Sequence, residues 1–249
     1  MAEDDGVGND KVSLRIPRHI GIIPDGNRRF ARKNNKPFWH GHKVGADVFE
    51  KMLGWCRDLG VKQVSFWCAS TENLARNKEE VDYLFKLFND FCDKFFKEFD
   101  KKKKKENDEK VRMRFIGDMS GLPGDLVDKF KRIEELTRDY SDYKLNLLVN
   151  YGGRWEITQA TKKISQEAVA GKLNPGDIDA GIVQKHLALE SEPDLIIRTG
   201  QSRLSGFMPW QGIYSELIFL PEKLWPEFSK QDLKQCIERF SRIKRNYGR

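Results

Sequence analysis

Two patterns of hydrophobic residues recur along this chain. Short apolar runs are typical of buried strands, and longer segments with an apolar residue every three or four positions are typical of amphipathic helices. The runs predict strands at 19–23, 61–68, 111–116, 143–150, 194–197 and 217–220. The segments between them predict helices at 28–34, 41–60, 79–104, 125–137, 154–170, 179–189 and 230–244. This alternation predicts one α/β domain with a central, mostly parallel sheet flanked by helices.

Two stretches fall outside the alternation. Residues 1–13 are polar and acidic and contain glycine, which predicts a disordered tail ahead of a domain at 14–249. The Lys-Pro-Phe-Trp stretch at 36–39 is predicted to separate the first two helices, because proline does not continue a helix.

The loops that follow the strands carry the candidate chemistry. Asp25, Asn73, Arg76, Arg154 and Arg198 each come just after a predicted strand. In open α/β sheets, ligands bind beyond the carboxyl ends of the strands. We therefore expect these side chains to converge at one edge of the sheet.

The loop after the first strand is the strongest candidate. Asp25-Gly26-Asn27 suits a tight turn, and Arg28 and Arg29 begin the helix that follows. A helix N-terminus favours anions, and an acid in the same turn can hold Mg²⁺ against a phosphate. The local pattern fits a metal-bound diphosphate and an ordinary turn equally well.

Arginine recurs beside glycine or asparagine in these loops. Because arginine binds phosphate oxygens bidentately, such a set at strand ends favours two diphosphate groups or one polyanion over unrelated surface charge. The arginines concerned are Arg28, Arg29, Arg76, Arg154, Arg198 and Arg203. The chain has no P-loop lysine motif, no Gly-x-Gly-x-x-Gly and no Gly-x-Ser-x-Gly. His40 and His42 lack a third ligand nearby, which favours helix-start or hydrogen-bonding roles over a metal site.

Composition agrees with an anionic ligand. The net charge of the 249 residues is +7, although a lysine run at 101–105 contributes much of it. The four cysteines are scattered, as in a reduced cytosolic protein, and no apolar run has the length of a transmembrane helix. Positive charge also suits nucleic acid, but that function predicts exposed aromatic residues on a basic face. The aromatic residues here have core-like spacing, and the wide phenylalanine stripe at 79–104 favours a core-facing helix.

In their order along the chain, these motifs resemble the cis-prenyltransferases, the undecaprenyl diphosphate synthase family, and in particular archaeal members. The resemblance runs from His19 to Gly248 and includes Ile-Ile-Pro-Asp-Gly-Asn-Arg-Arg at 22–29 and Ser-Thr-Glu-Asn-x-x-Arg at 70–76. It implies an α/β fold with an apolar tunnel, Mg²⁺ as cofactor, and a cytoplasmic homodimer that contacts membranes peripherally and binds no nucleic acid. It also implies transfer of a prenyl group from an allylic diphosphate, mainly to isopentenyl diphosphate, with cis elongation to a short or medium product.

The resemblance also assigns roles to single residues. Asp25 and Asn73 are expected to act in catalysis, and Asp25 is expected to hold Mg²⁺ together with Glu216. The residues expected to bind the allylic donor are Gly26, Asn27, Arg28, Arg29, His42, Ser70 and Arg76. Those expected to bind the acceptor are Arg198, Arg203 and Ser205, and those expected to wall the tunnel are Phe85, Phe88 and Phe91.

Two departures from the family pattern lie on the acceptor side. The Gly-Gln-Ser loop at 200–202 is one residue short and lacks the usual glutamate, and Asn246 stands where the family usually has arginine. These changes favour a relaxed choice of acceptor, such as another prenyl diphosphate or an alcohol. A further alternative is a non-catalytic subunit of a heteromeric prenyltransferase, although retention of Asp25 and Arg29 argues against it.

Overall fold

A parallel sheet forms the centre of the molecule. Its strands are β1 (His19–Ile23), β2 (Gln63–Trp67), β3 (Val111–Ile116), β4 (Tyr143–Leu148), β5 (Leu195–Thr199) and β6 (Glu216–Leu220). They lie in the order β3-β4-β2-β1-β5-β6, and every pairing is parallel. The computed structural model describes residues 14–102 and 110–243.

Helices follow most of the strands. They are α1 (Asn27–Lys33), α2 (Phe38–Asp58), α3 (Lys78–Lys102), α4 (Gly124–Thr137), α5 (Gly153–Val169), α6 (Ala180–His186) and α7 (Lys230–Arg242). Short 3-10 helices lie at Thr71–Asn73, Met119–Gly121, Pro175–Asp177 and Trp225–Glu227. The predicted α/β class, with a parallel sheet between helices, is confirmed.

The sheet buries both of its faces, because successive side chains of a strand point to opposite sides. Ile20 and Ile22 belong to the larger apolar cluster, which residues of α2, α3, α4 and α7 complete. Ile23 and Ile196 belong to a second cluster with Tyr151, Phe207 and Met208. Every residue of β1 and β5 is buried, which explains their nearly continuous apolar sequences.

The connections diverge between β1 and β5. The chain leaves β1 towards β2 on one side, whereas it leaves β5 towards β6 on the other. Such a reversal leaves a crevice beyond the carboxyl ends of the two strands, where open α/β sheets bind their ligands. Asp25 follows β1, and Arg198 lies near the end of β5, so this crevice receives both residues.

The prediction that residues 36–39 separate the first two helices is wrong in part. Helix α2 begins at Phe38, directly after Pro37, and therefore includes Trp39. Proline is tolerated at a helix start, since the first N–H groups have no partner within the helix. Helices α1 and α2 pack closely at Gly41, where a Cβ would lie only 2.0 Å from the Asn27 carbonyl oxygen.

Some sequence predictions lie outside the described residues. These are the tail at 1–13, the lysines at 103–105 and the C-terminal residues 244–249, which include Asn246. Helix α6 ends at His186 rather than at 189, and β4 ends at Leu148 rather than at 150. Within 14–102 and 110–243, no helix combines the length and the apolar character needed to cross a bilayer.

Candidate active site

A cavity of about 910 Å³ opens beyond the carboxyl ends of the strands. Its volume lies near the upper end of the usual range for small-molecule sites, roughly 300–1,000 Å³. The mouth is polar, and the interior between the sheet, α2 and α3 is apolar, with Leu84, Phe88, Phe91, Phe115 and Leu147 among its lining. The polar lining includes Asp25, Gly26, Asn27, Arg28, Arg29, His42, Ser70, Asn73, Arg76, Arg198, Arg203 and Ser205. The expected convergence of the strand-end loops is therefore seen for all of these residues.

Asp25 lies at the centre of the mouth. Its carbonyl oxygen accepts hydrogen bonds from the Thr199 hydroxyl at 2.8 Å and the Trp225 N–H at 2.9 Å. Its carboxylate accepts from Arg29 on Oδ1 and from Arg198 on Oδ2, each at 3.0 Å. The carboxylate is still 33% exposed, so a ligand in the cavity can reach it.

The start of α1 is built for close approach. Gly26 precedes the helix with φ of 121°, a conformation that favours glycine. Arg29 donates to the Gly200 carbonyl at 2.8 Å, and a Cβ on Gly200 would lie 2.2 Å from the Arg29 guanidinium. The Asn27 Oδ1 is buried beside Gly45 of α2 and has no hydrogen-bond partner within residues 14–102 and 110–243. Glycine at these positions therefore brings the arginine and the asparagine into the site.

A second charged cluster forms the opposite side of the mouth. Glu80 is almost completely buried and accepts from Arg76 at 2.6 Å and from His42 at 3.2 Å, while Arg28 lies 3.9 Å away. Burial alone would raise the pKa of Glu80, but Arg76, His42 and Arg28 outweigh it and lower the pKa. Burial lowers the pKa of His42, against the opposing effect of Glu80. Glu80 therefore holds Arg76 and Arg28 in place at the mouth.

Glu80 was missed by the sequence analysis. Its one signal was its position four residues after Arg76, the spacing of an ion pair on one face of a helix. That pattern is common on exposed helices, so it did not distinguish Glu80 from Glu79 beside it.

The loop after β2 adds Ser70 and Asn73. The Asn73 side-chain oxygen accepts from the Ser70 N–H at 3.1 Å and so closes a 3-10 turn. Both residues line the cavity. The turn therefore presents Asn73 with one polar atom already used for local structure.

The loop after β5 brings Arg198, Arg203 and Ser205 together. Arg198 is 5% exposed and donates to the Ser205 hydroxyl at 2.8 Å and to the Arg203 carbonyl. Arg203 donates from Nε to the same hydroxyl at 3.2 Å. The Nε of Arg198 is buried and has no hydrogen-bond partner among the described residues. A buried guanidinium with a free N–H suits an anion that enters the cavity.

Three expectations need correction. Glu216 is the first residue of β6 and pairs with Leu195, the first residue of β5, so it lies at the opposite end of the sheet from Asp25. Within one chain it does not join Asp25 at a metal. Phe85 packs against the main core and is absent from the cavity lining, whereas Phe88 and Phe91 line it. Arg154 is exposed and also lies outside the cavity lining.

The donor set of the mouth fits Mg²⁺. The described residues contain no group of three or more acids, histidines or cysteines arranged around a metal. Mg²⁺ needs no such group, because it is usually held by one or two carboxylates together with waters and substrate phosphates. Asp25 offers such a carboxylate, and each of its oxygens accepts only one hydrogen bond from the arginines.

Known proteins share this architecture along almost the whole chain. The family model described as "Putative undecaprenyl diphosphate synthase" matches residues 23–248. A Thermoplasma volcanium tritrans,polycis-undecaprenyl-diphosphate synthase (geranylgeranyl-diphosphate specific) is 43% identical, over 94% of this chain and 89% of its own. An isoprenyl transferase from Streptococcus mutans is also 43% identical, over 94% of each chain.

A solved structure agrees with the sequence relatives. Lavandulyl diphosphate synthase from Lavandula x intermedia, in complex with dimethylallyl diphosphate, has a TM-score of 0.85 and 33% identity. The match covers 94% of this chain and 99% of that one. The chain therefore belongs to the undecaprenyl diphosphate synthase family, the cis-prenyltransferases, and is a transferase of prenyl groups.

Proposed function

We propose that this protein transfers a prenyl group from an allylic diphosphate to isopentenyl diphosphate and elongates the chain in the cis configuration, with Mg²⁺ as cofactor. The observation that carries the proposal is Asp25, held between Arg29 and Arg198 at the polar mouth of an apolar cavity. The named relatives, an undecaprenyl diphosphate synthase and an isoprenyl transferase, support it.

The donor diphosphate binds on the side of α1 and α2. Arg28 and Arg29 supply positive charge and N–H donors there, His42 lines the same side, and Arg76 approaches from the loop before α3. Asn27 and Gly26 bring backbone and amide groups close to the same space. The prenyl chain extends from the diphosphate into the apolar interior, since that is where the cavity continues.

The chemical step is loss of the donor diphosphate. Mg²⁺ bound at Asp25 would neutralise charge on the leaving group. Arg29 and Arg198 already lie where that charge develops, so their position requires little rearrangement during the reaction. The apolar lining formed by residues such as Leu84 and Phe91 excludes water, which would otherwise trap the allylic carbon.

The acceptor diphosphate binds on the side of β5. Arg198, Arg203 and Ser205 already contact one another there, and the buried Nε of Arg198 remains free to donate. Holding both diphosphates on one rigid edge places the acceptor beside the reacting carbon of the donor, which lowers the entropic cost of the reaction.

A second candidate function follows from the acceptor loop. The loop at 200–202 is one residue short for the family, and a solved structure that matches this chain is a lavandulyl diphosphate synthase. Transfer to another prenyl diphosphate or to an alcohol is therefore the alternative. A variant that restores a Gly-Glu pair in this loop should shift the products towards regular elongation.

The direct test is product analysis. Enzyme, Mg²⁺ and allylic diphosphates of several lengths are incubated with isopentenyl diphosphate or with alternative acceptors, and the products are identified by mass spectrometry. Regular cis-polyprenyl diphosphates are expected. Irregular products or ethers alone would support the alternative acceptor, and no product from any pair would refute both functions. Retention of Asp25, Arg29 and Arg198 in one cluster supports an active subunit rather than a silent partner.

The apolar interior is the proposed product tunnel, and large side chains in it favour short or medium products. Phe88→Ala removes volume from the lining and should lengthen the products. Phe85→Ala is the matched control, since Phe85 lies one turn earlier on the same helix but outside the lining. Both changes cost up to about 3–5 kcal/mol of stability. Equal product lengths in both variants would contradict the tunnel.

The proposed assembly is a homodimer through the exposed edge of the sheet. Ile213 and Tyr214 precede the edge strand β6 and are 71% and 70% exposed, and Leu217 on that strand is 38% exposed. An apolar patch beside an open strand edge is typical of a protein interface. Light scattering should give a dimer mass, and Ile213→Asp with Tyr214→Asp should reduce it to a monomer.

The proposed location is cytoplasmic, with peripheral contact to membranes. Trp39 is 43% exposed at the start of α2, and Lys36 and Lys43 beside it are exposed. Exposed aromatic and basic side chains together favour an anionic lipid surface. Sedimentation with vesicles that contain anionic lipid should be reduced by Trp39→Ala, and equal sedimentation of both proteins would count against this surface.

A further inference from the structure

One side of the apolar interior is bounded by charged residues. Most of the lining below the mouth is leucine, phenylalanine and valine. On the side where α2 faces α3, however, Asp47 and Glu50 come from α2, and Asp90 and Lys94 come from α3. The proposed reaction needs two diphosphate sites and an apolar tunnel. Neither of these explains why charged side chains of α2 and α3 line the cavity away from the mouth.

The two helices are bridged at three levels. His42 contacts Glu80 at 3.2 Å near the mouth. Deeper in, the rings of Phe49 and Phe91 lie 6.1 Å apart between centroids. Beyond them, Lys94 donates to Glu50 at 2.6 Å. Lys94 follows Glu80 by fourteen residues of the same helix, which places it about 21 Å further along the helix axis.

The last bridge lies at the border between the cavity and solvent. Glu50 and Lys94 both line the cavity, yet their side chains are 44% and 51% exposed to solvent. The pair is thus hydrated and borders the cavity between α2 and α3. Removing either side chain would open space for an apolar chain between these helices.

The bridge also carries charge under ordinary conditions. The hydrogen bond that Lys94 donates to Glu50 raises the pKa of Lys94, and Glu98 and Asp47 act in the same direction. An apolar chain that reaches a charged, hydrated pair gains nothing from further contact, because covering the charges would remove their water.

We propose that the Glu50–Lys94 ion pair closes the side of the tunnel between α2 and α3 and thereby limits the length of the prenyl chain that the protein accommodates. The proposal rests on the proposed function for the identity of the ligand. It assigns to two surface-facing residues a role in product length that the mouth residues do not have.

The first experiment measures binding without turnover. Allylic diphosphates of increasing chain length are titrated into the protein with Mg²⁺ and without acceptor. Each isoprene unit that enters the apolar interior should raise the affinity by about tenfold or more, and a unit that cannot enter should add little. In Lys94→Ala and Glu50→Ala, the chain length at which affinity stops rising should increase by at least one isoprene unit.

The controls separate closure of the wall from loss of any surface ion pair. Lys230 and Asp58 form a pair at 2.7 Å with side chains 52% and 50% exposed, and neither lines the cavity. Lys230→Ala should therefore match the wild type. The exchanged variant Glu50→Lys with Lys94→Glu should restore the wild-type limit. Because exposed pairs contribute little stability, all of these variants should fold.

The second experiment follows the products with isopentenyl diphosphate as acceptor. Lys94→Ala and Glu50→Ala should give longer products than the wild type and Lys230→Ala. The same limit in the wild type and Lys94→Ala, or an equal shift in Lys230→Ala, would overturn the proposal while leaving the prenyltransferase function intact. If the wild-type protein binds none of the allylic diphosphates, the proposed function fails and the tunnel limit fails with it.

Discussion

The two ends of β1 carry polar clusters with opposite properties. At the amino end, the His19 Nδ1–H donates to the Glu192 carbonyl at 3.0 Å, which leaves Nε2 to accept from the Ser65 hydroxyl at 2.8 Å. The Asn146 amide donates to the same hydroxyl at 2.9 Å. The side chains of His19, Ser65 and Asn146 are all buried. Hydrogen bonds join them to one another and to the Glu192 carbonyl.

At the carboxyl end, the cluster around Asp25 is left incomplete. The Asp25 carboxylate is one-third exposed, and the buried Nε of Arg198 has no partner among the described residues. The same strand therefore ends in a satisfied network that stabilises the sheet and in an unsatisfied one that can bind a ligand. The two clusters on this strand therefore differ in the completeness of their hydrogen bonding as well as in their exposure.

The largest expected effect is on activity at the carboxyl end. Asp25→Ala removes the carboxylate that both arginines face, and kcat should fall by about 10²- to 10³-fold. The protein should still fold, although its unfolding free energy should fall because the buried Arg198 loses a carboxylate partner. Steady-state kinetics and thermal unfolding measure the two effects. Turnover near the wild-type rate would show that the reaction does not need Asp25.

The next effect is on stability at the amino end, and it depends on pH. Burial lowers the pKa of His19 from 6.5 to about 4, although the hydrogen bond to the Glu192 carbonyl opposes the shift. The unfolded chain therefore takes up a proton at a higher pH than the folded one. The contribution of neutral His19 is complete above pH 6.5 and is lost as the pH falls towards 4, for a total of roughly 3 kcal/mol.

Denaturant unfolding at several pH values tests this dependence. His19→Gln removes the titrating group, so its stability should vary less between pH 6.5 and 4 than that of the wild type. A parallel loss of stability in both proteins would assign the effect to other residues.

A smaller loss of stability is expected from the hydroxyl between the two partners. Ser65→Ala leaves the His19 Nε2 and the Asn146 amide without a buried partner and should cost about 1–3 kcal/mol. The kcat of the folded protein should stay at the wild-type value, since the cluster lies at the far end of the sheet. A marked fall in kcat would contradict the view that the cluster at the amino end of β1 is structural only.

The smallest effect is expected at Glu80, on the donor side of the mouth. Glu80→Gln keeps the shape but removes the charge that holds Arg76 and His42, so the KM for the allylic donor should rise by about tenfold. The exposed neighbour Glu79 provides the matched control, Glu79→Gln, which should leave the KM unchanged. A change in kcat alone would place Glu80 in the chemical step instead.

Much of the fold could be predicted because its patterns are local. The apolar runs of β1 and β5 are buried along their whole length, and their sequences show it directly. The loops after the strands could be placed at one edge because a parallel sheet brings all its carboxyl ends together. The start of α2 could not be predicted in this way. A proline can either follow the end of one helix or precede the start of the next, and at Pro37 the sequence does not distinguish the two.

The remaining errors concern contacts between distant parts of the chain. Glu216 carries the carboxylate expected of a metal ligand. The register between β5 and β6, however, places it at the amino end of β6, away from Asp25. Phe85 and Phe88 share one periodic stripe and both pack against the main core, and only the orientation of α3 decides that Phe88 lines the cavity while Phe85 does not. Glu80 became recognisable only when the structure placed Arg28 of α1, His42 of α2 and Arg76 of the loop before α3 around it.

The neighbours of β1 have a consequence for synthesis and folding. Asp25 and Arg198 are 173 residues apart in the chain, yet they meet because β5 pairs directly with β1. On the ribosome, β1 and β2 can pair early, but the other side of β1 stays open until β5 has emerged. Closing so long a loop is slow compared with forming local contacts. The active site is thus among the last parts of the molecule to assemble, and a nascent or truncated chain that lacks β5 holds no functional mouth.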